Sequence, residues 1–460
     1  MTVTDQYGYE LTLSDASALA PWHDTVRAFL AHGATTAQHM ARTLEVAPDF
    51  AMAHGAHGLF CLLLGRRELV SSSEEDWRLA DRARRGTPVT ARENAVVDAL
   101  RDWLDGFPSH AASRLHAALE AHPGDALLLK LVHAIRFVLG DAGGMRSSVE
   151  AVLHAYGDDH PAFGYVLGCH AFALEETGEY ARAETTGRRA VDTAGDDAWG
   201  LHAVAHVLDM TGRFDDGRKW LEARTDNWAH CNNFRYHCWW HLALMYLDRR
   251  DFDKVLALYD QEIRRDQTDD YRDISNGASL LVRLEIEGVN VGGRWEELAR
   301  ISEKRVDDSC NVFADLHYLM SLNGGNRRLA AEKLVENIEM MGEGTSDMEK
   351  VAKVAGTPIA FGLDAYRRGN YFSAFHNLNR ARPNLRQIGG SHAQRDVFER
   401  LTIDAALRAG LADEAELLLK ERLALRSAMD RFAEDRLKVI ERMHRAARIM
   451  QDERLRAVHA

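Results

Sequence analysis

The stretch Ala171-Phe172-Ala173-Leu174, then Thr177-Gly178-Glu179-Tyr180, then Ala181 and Ala183, reads as one helix, a tight turn and the start of a returning helix. Apolar residues at three- and four-residue spacing mark the two helices. Gly178 ends the first because glycine enters the left-handed C′ conformation cheaply. The aromatic ring two residues on, and the small alanines beyond it, let the returning helix pack close. The same punctuation recurs at Gly65, Gly106, Gly140, Gly178, Gly212, Arg250, Gly293, Gly325, Gly369 and Gly410. Intervals run from 32 residues (Gly293 to Gly325) to 44 (Gly325 to Gly369). The best-formed turns are Gly178-Glu-Tyr180, Gly212-Arg-Phe214, Arg250-Asp-Phe252, Gly293-Arg-Trp295 and Gly369-Asn-Tyr371. Alternating β-branched segments bounded by Asn-Gly or Asp-Gly do not occur, so strand content should be negligible.

A period near 34 residues with a small–aromatic–small turn is that of a tetratricopeptide-like array. No single hairpin can bury its own apolar face, so about ten of them stack into an all-α solenoid, a superhelix. The expected division is residues 1–410 as the solenoid and 411–460 as Arg-rich capping helices of the same domain. Those terminal helices also offer a surface for a second copy of the chain, a homo-oligomer. Ser71 to Thr87 reads as a polar, partly ordered excursion, and Met341 to Asp347, with two glycines, as a loop.

Composition narrows the function classes. Of 460 residues, 46% are hydrophobic and 28% charged, enough for a large core and against global disorder. Lys plus Arg number 57 and Asp plus Glu 70, a net charge of −13. That balance excludes nucleic acid and anionic membrane surfaces as expected partners. Five cysteines, with no CxxC pair, fit a reducing, cytoplasmic setting. The opening MTVTDQYGYE has no basic n-region or apolar h-region, so no secretory signal is expected. The run Leu127 to Val132, interrupted by Lys130, is far too short to span a bilayer.

Histidine is the anomaly, at 22 residues, several of them inside helices. His202 and His206 are four apart and share one helical face. His237 and His241 repeat the spacing one hairpin later, beside Trp239 and Trp240. Both pairs precede their turns and so lie on first helices, which in stacked hairpins are neighbours and line the concave side. His170 and His317 sit on first helices too, with Glu175, Glu176, Asp209 and Asp315 near the same levels. Three roles compete for these imidazoles: satisfied core residues, metal ligands, or polar contacts in an organic-ligand pocket. Neither pair is an HExxH, since Ala203 and Cys238 follow the first histidines. A metal site would need Asp209, His206 and a histidine from the next hairpin, a reach that periodicity does not establish. The cofactor is therefore left as a divalent metal held by His202, His206, His237 and His241, or none, with none preferred. Trp199 and Trp240 are expected as walls, and Arg283 and Arg395 as anion anchors. Gly389-Gly390-Ser391 is read as a tight turn with Ser391 as N-cap, or as an anion-binding helix N-terminus.

The stretch Asp197-Ala-Trp-Gly-Leu-His202-Ala-Val-Ala-His206-Val-Leu-Asp-Met210 resembles the DAW-x-x-H-x-x-AH-x-x-EM block of the tetratricopeptide repeat protein 38 family. His237-Cys-Trp-Trp240-His241-Leu-Ala-Leu is similar to that family's HxxWHxAL helix. The segments Ser279 to Gly292 and Ile388 to Phe398 resemble two further blocks, and Arg92-Glu93 and His133 match more weakly. Asn276 stands where the family often has Asp, and His392 where it can have Asn. The resemblance implies a closed or strongly curved helical-repeat protein and supplies no reaction.

The leading expectation is a cytoplasmic repeat protein that binds a small or extended polar ligand, or a peptide, on its inner surface. Trp199, His202, His206, His237, Trp240, His241, Arg283, His317 and Arg395 are the candidate contacts. The alternatives are a protein-interaction scaffold and a hydrolytic or metal-assisted enzyme. In the latter His206 or His241 is the general base, and Asp209 or Asp315 orients an imidazole.

Overall fold

A computed structural model describes residues 1–458. The chain is an all-α solenoid of helical hairpins. Each of the ten turn markers joins a packed helix pair, from Ala51–Leu63 with Arg67–Gly86 to His392–Arg408 with Ala412–Arg426. Most markers carry the left-handed residue themselves, including Arg250 at φ 61°. Two do not. Asn326 takes that conformation in place of Gly325, and Gly288 and Gly292 in place of Gly293. Gly325 is small for another reason: a Cβ there would run into the Ala299 side chain. Several helix starts are fixed by polar side chains. Asp125 and Asp197 accept from Leu128 and Gly200 N–H, and Thr90 with Glu93 and Ser391 with Gln394 form capping boxes.

The superhelix closes on itself. The Gly65 turn lies against Tyr271 and Asn311, and the Asp347 N–H donates to the Gly106 carbonyl at 3.0 Å. At Gly140 (φ 67°) the backbone presses so close to the Arg386 carbonyl that any Cβ would collide with it. Further along, Tyr180 Oη donates to the Leu425 carbonyl at 2.7 Å. Turns inside the early hairpins thus touch the connections between later hairpins, and the first helices face one shared interior. Near the start of the chain, Ala34 N–H donates to His230 O and Asn232 N–H to His32 O, at 3.0 and 2.8 Å.

Strand content is negligible, as expected, and one expectation, that for Ser71 to Thr87, needs correction. A two-stranded antiparallel hairpin, Thr2–Thr4 with Glu10–Thr12, opens the chain. It is held by tertiary contacts rather than local propensity: Arg92 donates to Asp5 and the Glu10 carbonyl, and Glu93 accepts from Thr12. Ser71 to Thr87 is no excursion, because Arg67–Gly86 is one continuous helix that buries Ser73, Asp76 and Ala80. The terminal pair Ala412–Arg426 and Arg431–Val458 is tied to the solenoid by buried arginines. Its Arg422 is buried between Asp396 and Asp430, and Arg426 and Arg436 donate to the carbonyls of Asp209 and Ile286. Cations at those helix C-termini meet the negative end of the helix dipole. Among the described residues no helix is long and apolar enough to cross a membrane, and all five cysteines are free.

Candidate functional site

Asp197 caps the helix Ala198–Met210 and fixes its phase, so that His202 and His206 point inward, 2% and 0% exposed. The helix Phe234–Asp248 runs beside it and brings His237 and His241 to the same depth. Their Nε2 atoms converge. His206 lies 2.8 Å from His202, His202 3.2 Å from His237, and His237 3.1 Å from His241. One ring nitrogen from each lies within 4.8 Å of the others.

Hydrogen bonding cannot account for this arrangement. An imidazole nitrogen carries either one proton or one lone pair, so three contacts along a chain of four Nε2 atoms cannot all be hydrogen bonds. His237 Nδ1 is engaged with Asn276 Oδ1 at 2.9 Å, as donor, which leaves the Nε2 lone pair facing the cluster. His206 Nδ1 faces the Glu175 carboxylate at 3.5 Å. Nδ1 of His202 and His241 has no protein partner, and neither Glu175 oxygen accepts a hydrogen bond. Burial pulls the pKa of His202 and His241 well below the usual imidazole value and that of His237 down to about 3, so these three imidazoles are neutral at physiological pH. Burial works against a charge on His206 as well, but the Glu175 carboxylate outweighs it and raises that pKa.

The four ring nitrogens are close enough to share one metal ion, although the three contacts of 2.8–3.2 Å are shorter than the edges of an ideal tetrahedral site. A tetrahedral ion with metal–nitrogen distances of about 2.0–2.1 Å has ligand–ligand edges of about 3.3–3.4 Å. One outer partner matches, because a metal-bound imidazole usually gives its other N–H to an amide or carboxylate oxygen. Asn276 stands in that position on His237, whereas Glu175 faces His206 Nδ1 at 3.5 Å without a hydrogen bond. The fully buried Glu175 carboxylate accepts no hydrogen bond, and His206 is its nearest charge partner.

A cavity of about 360 Å³ opens beside the cluster, with His202 and His237 in its wall. Trp199 and Phe234 extend that wall. Phe29, His57, Phe60 and Cys61 come from the first hairpins, Lys130 and His133 from the helix Ala126–Val138, and Gly389, Gly390 and Ser391 from the far coil. Trp199 packs between Phe172 (4.5 Å), His202 (5.0 Å) and Phe234 (5.4 Å), and its Nε1–H donates to His133 Nε2 at 3.2 Å.

The remaining candidates lie elsewhere. Trp240 stacks behind His237, and Arg283 lies over that indole while donating to the Ser279 and Ala393 carbonyls. Arg395 is consumed by Glu176 and the Gly389 and Gly390 carbonyls. Neither arginine lines the cavity, so neither is its anion anchor. Asp209 pairs with Arg426 at 2.8 Å, so the carboxylate beside His206 is Glu175 and not Asp209. Asp315 is buried without a partner, and burial pushes its pKa far up, away from the four histidines. His317 donates to the Phe313 carbonyl at 2.7 Å and stays outside the cluster. Ser391 is the N-cap expected of it, and also part of the cavity wall.

Sequence reasoning missed His32, His57, Cys61 and Asp76. His57 donates to Asp76 at 2.6 Å, His54 meets the other Asp76 oxygen at 3.0 Å, and Cys61 Sγ stands 3.8 Å from His57 Nε2. The hydrogen bond to Asp76 raises the His57 pKa to about 10. The available signal was again histidine at helical spacing, His54, His57 and Cys61 on one helix. No family model matches the chain.

Proposed function

We propose that the protein is a metal-dependent enzyme. In this reading His202, His206, His237 and His241 hold one transition-metal ion at the wall of a cavity that binds a small organic molecule. The observation that carries it is the convergence of four buried Nε2 atoms at 2.8–3.2 Å in a pattern that hydrogen bonding does not satisfy. Imidazole donors suit zinc, copper, iron and nickel, and leave the choice among them to coordination number. Four imidazoles fill a tetrahedral shell, so such an ion would act on a substrate only by taking a fifth ligand, and would then polarise a carbonyl or lower the pKa of bound water. The chain's own groups supply the rest. Asn276 orients His237, Trp199 and Phe234 exclude water, and the cavity positions the substrate next to His202 and His237. The resemblance to the tetratricopeptide repeat protein 38 family belongs to the same proposal, because its two strongest blocks contribute all four histidines. A cytoplasmic setting fits the five free cysteines.

The test is calorimetric titration of chelator-treated protein with Zn²⁺, Fe²⁺, Ni²⁺ and Cu²⁺. One site per chain is expected, lost when His202 and His237 are both changed to alanine. Equal binding by that variant, or none by the wild type, would overturn the metal and leave a metal-free ligand pocket or an interaction scaffold.

A further inference from the structure

We infer that the molecule the cavity takes is a small organic anion, one acidic group on an apolar body, and that Lys130 holds its charge. This rests on the reading of the cavity as a small-molecule site, and adds the class of molecule.

Lys130 interrupts an otherwise apolar helical run and is only 4% exposed. Taking an ammonium out of water is costly unless an opposite charge meets it. No carboxylate oxygen lies within 4.0 Å of Lys130 Nζ among the described residues. Its contacts are His32 Nε2 at 3.1 Å, Cys169 Sγ at 4.0 Å and the face of Trp199 at 4.9 Å. An ammonium has three donors, so the single close nitrogen acceptor leaves it under-used. His32 is neutral, its pKa held well down by burial and then by Lys130 itself, so its Nε2 accepts.

The other cations in the cavity wall are already matched. Arg272 is clamped by Asp270 at 2.9 and 2.5 Å, and His57 by Asp76 at 2.6 Å. No aspartate or glutamate lines the cavity. Asp197 feels the Lys130 charge but spends one oxygen on the Gly200 N–H, and burial pushes its pKa up to about 7. The other Asp197 oxygen is buried without a partner, so the nearest counter-charge stays out of hydrogen-bond reach, and Lys130 is the one cation of the cavity wall that no carboxylate touches. Phe29, Phe60, Phe137, Phe234 and Phe313 make the wall predominantly apolar, with Asn232, Asn233 and Gln394 among its polar groups, so the body of the ligand is mainly apolar. Its volume stands at the small end of the usual 300–1,000 Å³ range.

The experiment compares matched pairs on the full-length protein by calorimetry: phenylacetate with phenylacetamide, octanoate with octanamide, and inorganic phosphate alone. The acids should bind at least about tenfold more tightly than their amides, as a charge-assisted hydrogen bond predicts. Lys130→Met should abolish that preference and leave amide binding and metal titration unchanged, whereas Lys130→Arg should keep part of it. The acid-to-amide ratio in the wild type decides the matter even where Lys130→Met fails to fold. Equal binding of acid and amide, no binding of either, or binding of phosphate alone would overturn the inference. A failed metal titration alongside a strong acid preference would remove the metal reading and keep the anion site.

Discussion

Asn276 is the side chain whose replacement separates a metal centre from a packed histidine cluster. It touches neither cavity nor Nε2 atoms, and acts only by accepting the His237 Nδ1 proton at 2.9 Å. Loss of an outer partner of this kind typically weakens metal binding by about 10–100-fold. With metal at about 100 times its Kd, binding stabilises the folded chain by about 2.7 kcal/mol. After Asn276→Ala the same metal concentration is only about 1–10 times Kd, and the stabilisation falls to about 0.4–1.4 kcal/mol. Unfolding entropy of about 2.1 cal/mol/K per residue gives about 1 kcal/mol/K for 460 residues. The metal-induced rise in Tm should therefore drop from about 3 °C to about 0.4–1.4 °C, measured by scanning calorimetry with chelator and with metal. Asn276→Asp should move the other way. A carboxylate makes His237 a more basic ligand, and it removes the Asn276 Nδ2 donor that is buried without a partner. An unchanged metal-induced shift in a folded Asn276→Ala protein would refute the outer-partner reasoning.

Trp199→Ala should cost about 3–5 kcal/mol, since the ring is 8% exposed and packs on Phe172, His202 and Phe234; chemical denaturation measures it. Gly140→Ala should destabilise by at least about 1–3 kcal/mol, from positive φ and collision with Arg386 O together, and by clearly more than Gly178→Ala, whose turn is open. A difference near zero would mean the coils do not touch there. His57→Gln tests the Asp76 pair by pH. The folded pKa is raised from 6.5 to about 10, so the stabilisation is complete below about 6.5 and lost as pH rises through about 10. The Tm gap between wild type and variant should be wider at pH 6 than at pH 9, and a gap independent of pH would contradict the assignment.

The repeat was legible because turn chemistry is local: a glycine, an aromatic and small residues decide each hairpin without reference to distant chain. The four-histidine cluster was partly legible for the same reason, since i, i+4 spacing sets a face and hairpin phase sets a neighbour. What closes the superhelix was not. Asp209 looked free to serve His206, yet Arg426, 217 residues on, claims it. Glu175 takes its place from the neighbouring hairpin. Arg283 and Arg395 looked like anion anchors and are instead spent on backbone carbonyls and Glu176. Lys130 was visible only as an interruption in an apolar run. Its partners His32 and Trp199 reach it across the fold, from 98 residues before it in one case.

Metal content and ligation together test the central claim most directly. Protein expressed in medium supplemented with zinc, iron, nickel and copper should be purified without chelator, assayed by elemental analysis and examined by X-ray absorption at the edge of the metal found. The expected result is about one ion per chain, with imidazole scattering from nitrogens at about 2.0–2.1 Å if the ion is zinc, and loss of both in His202→Ala/His237→Ala. Metal well below one per chain after supplementation, or an ion whose spectrum lacks imidazole back-scattering, would contradict the account.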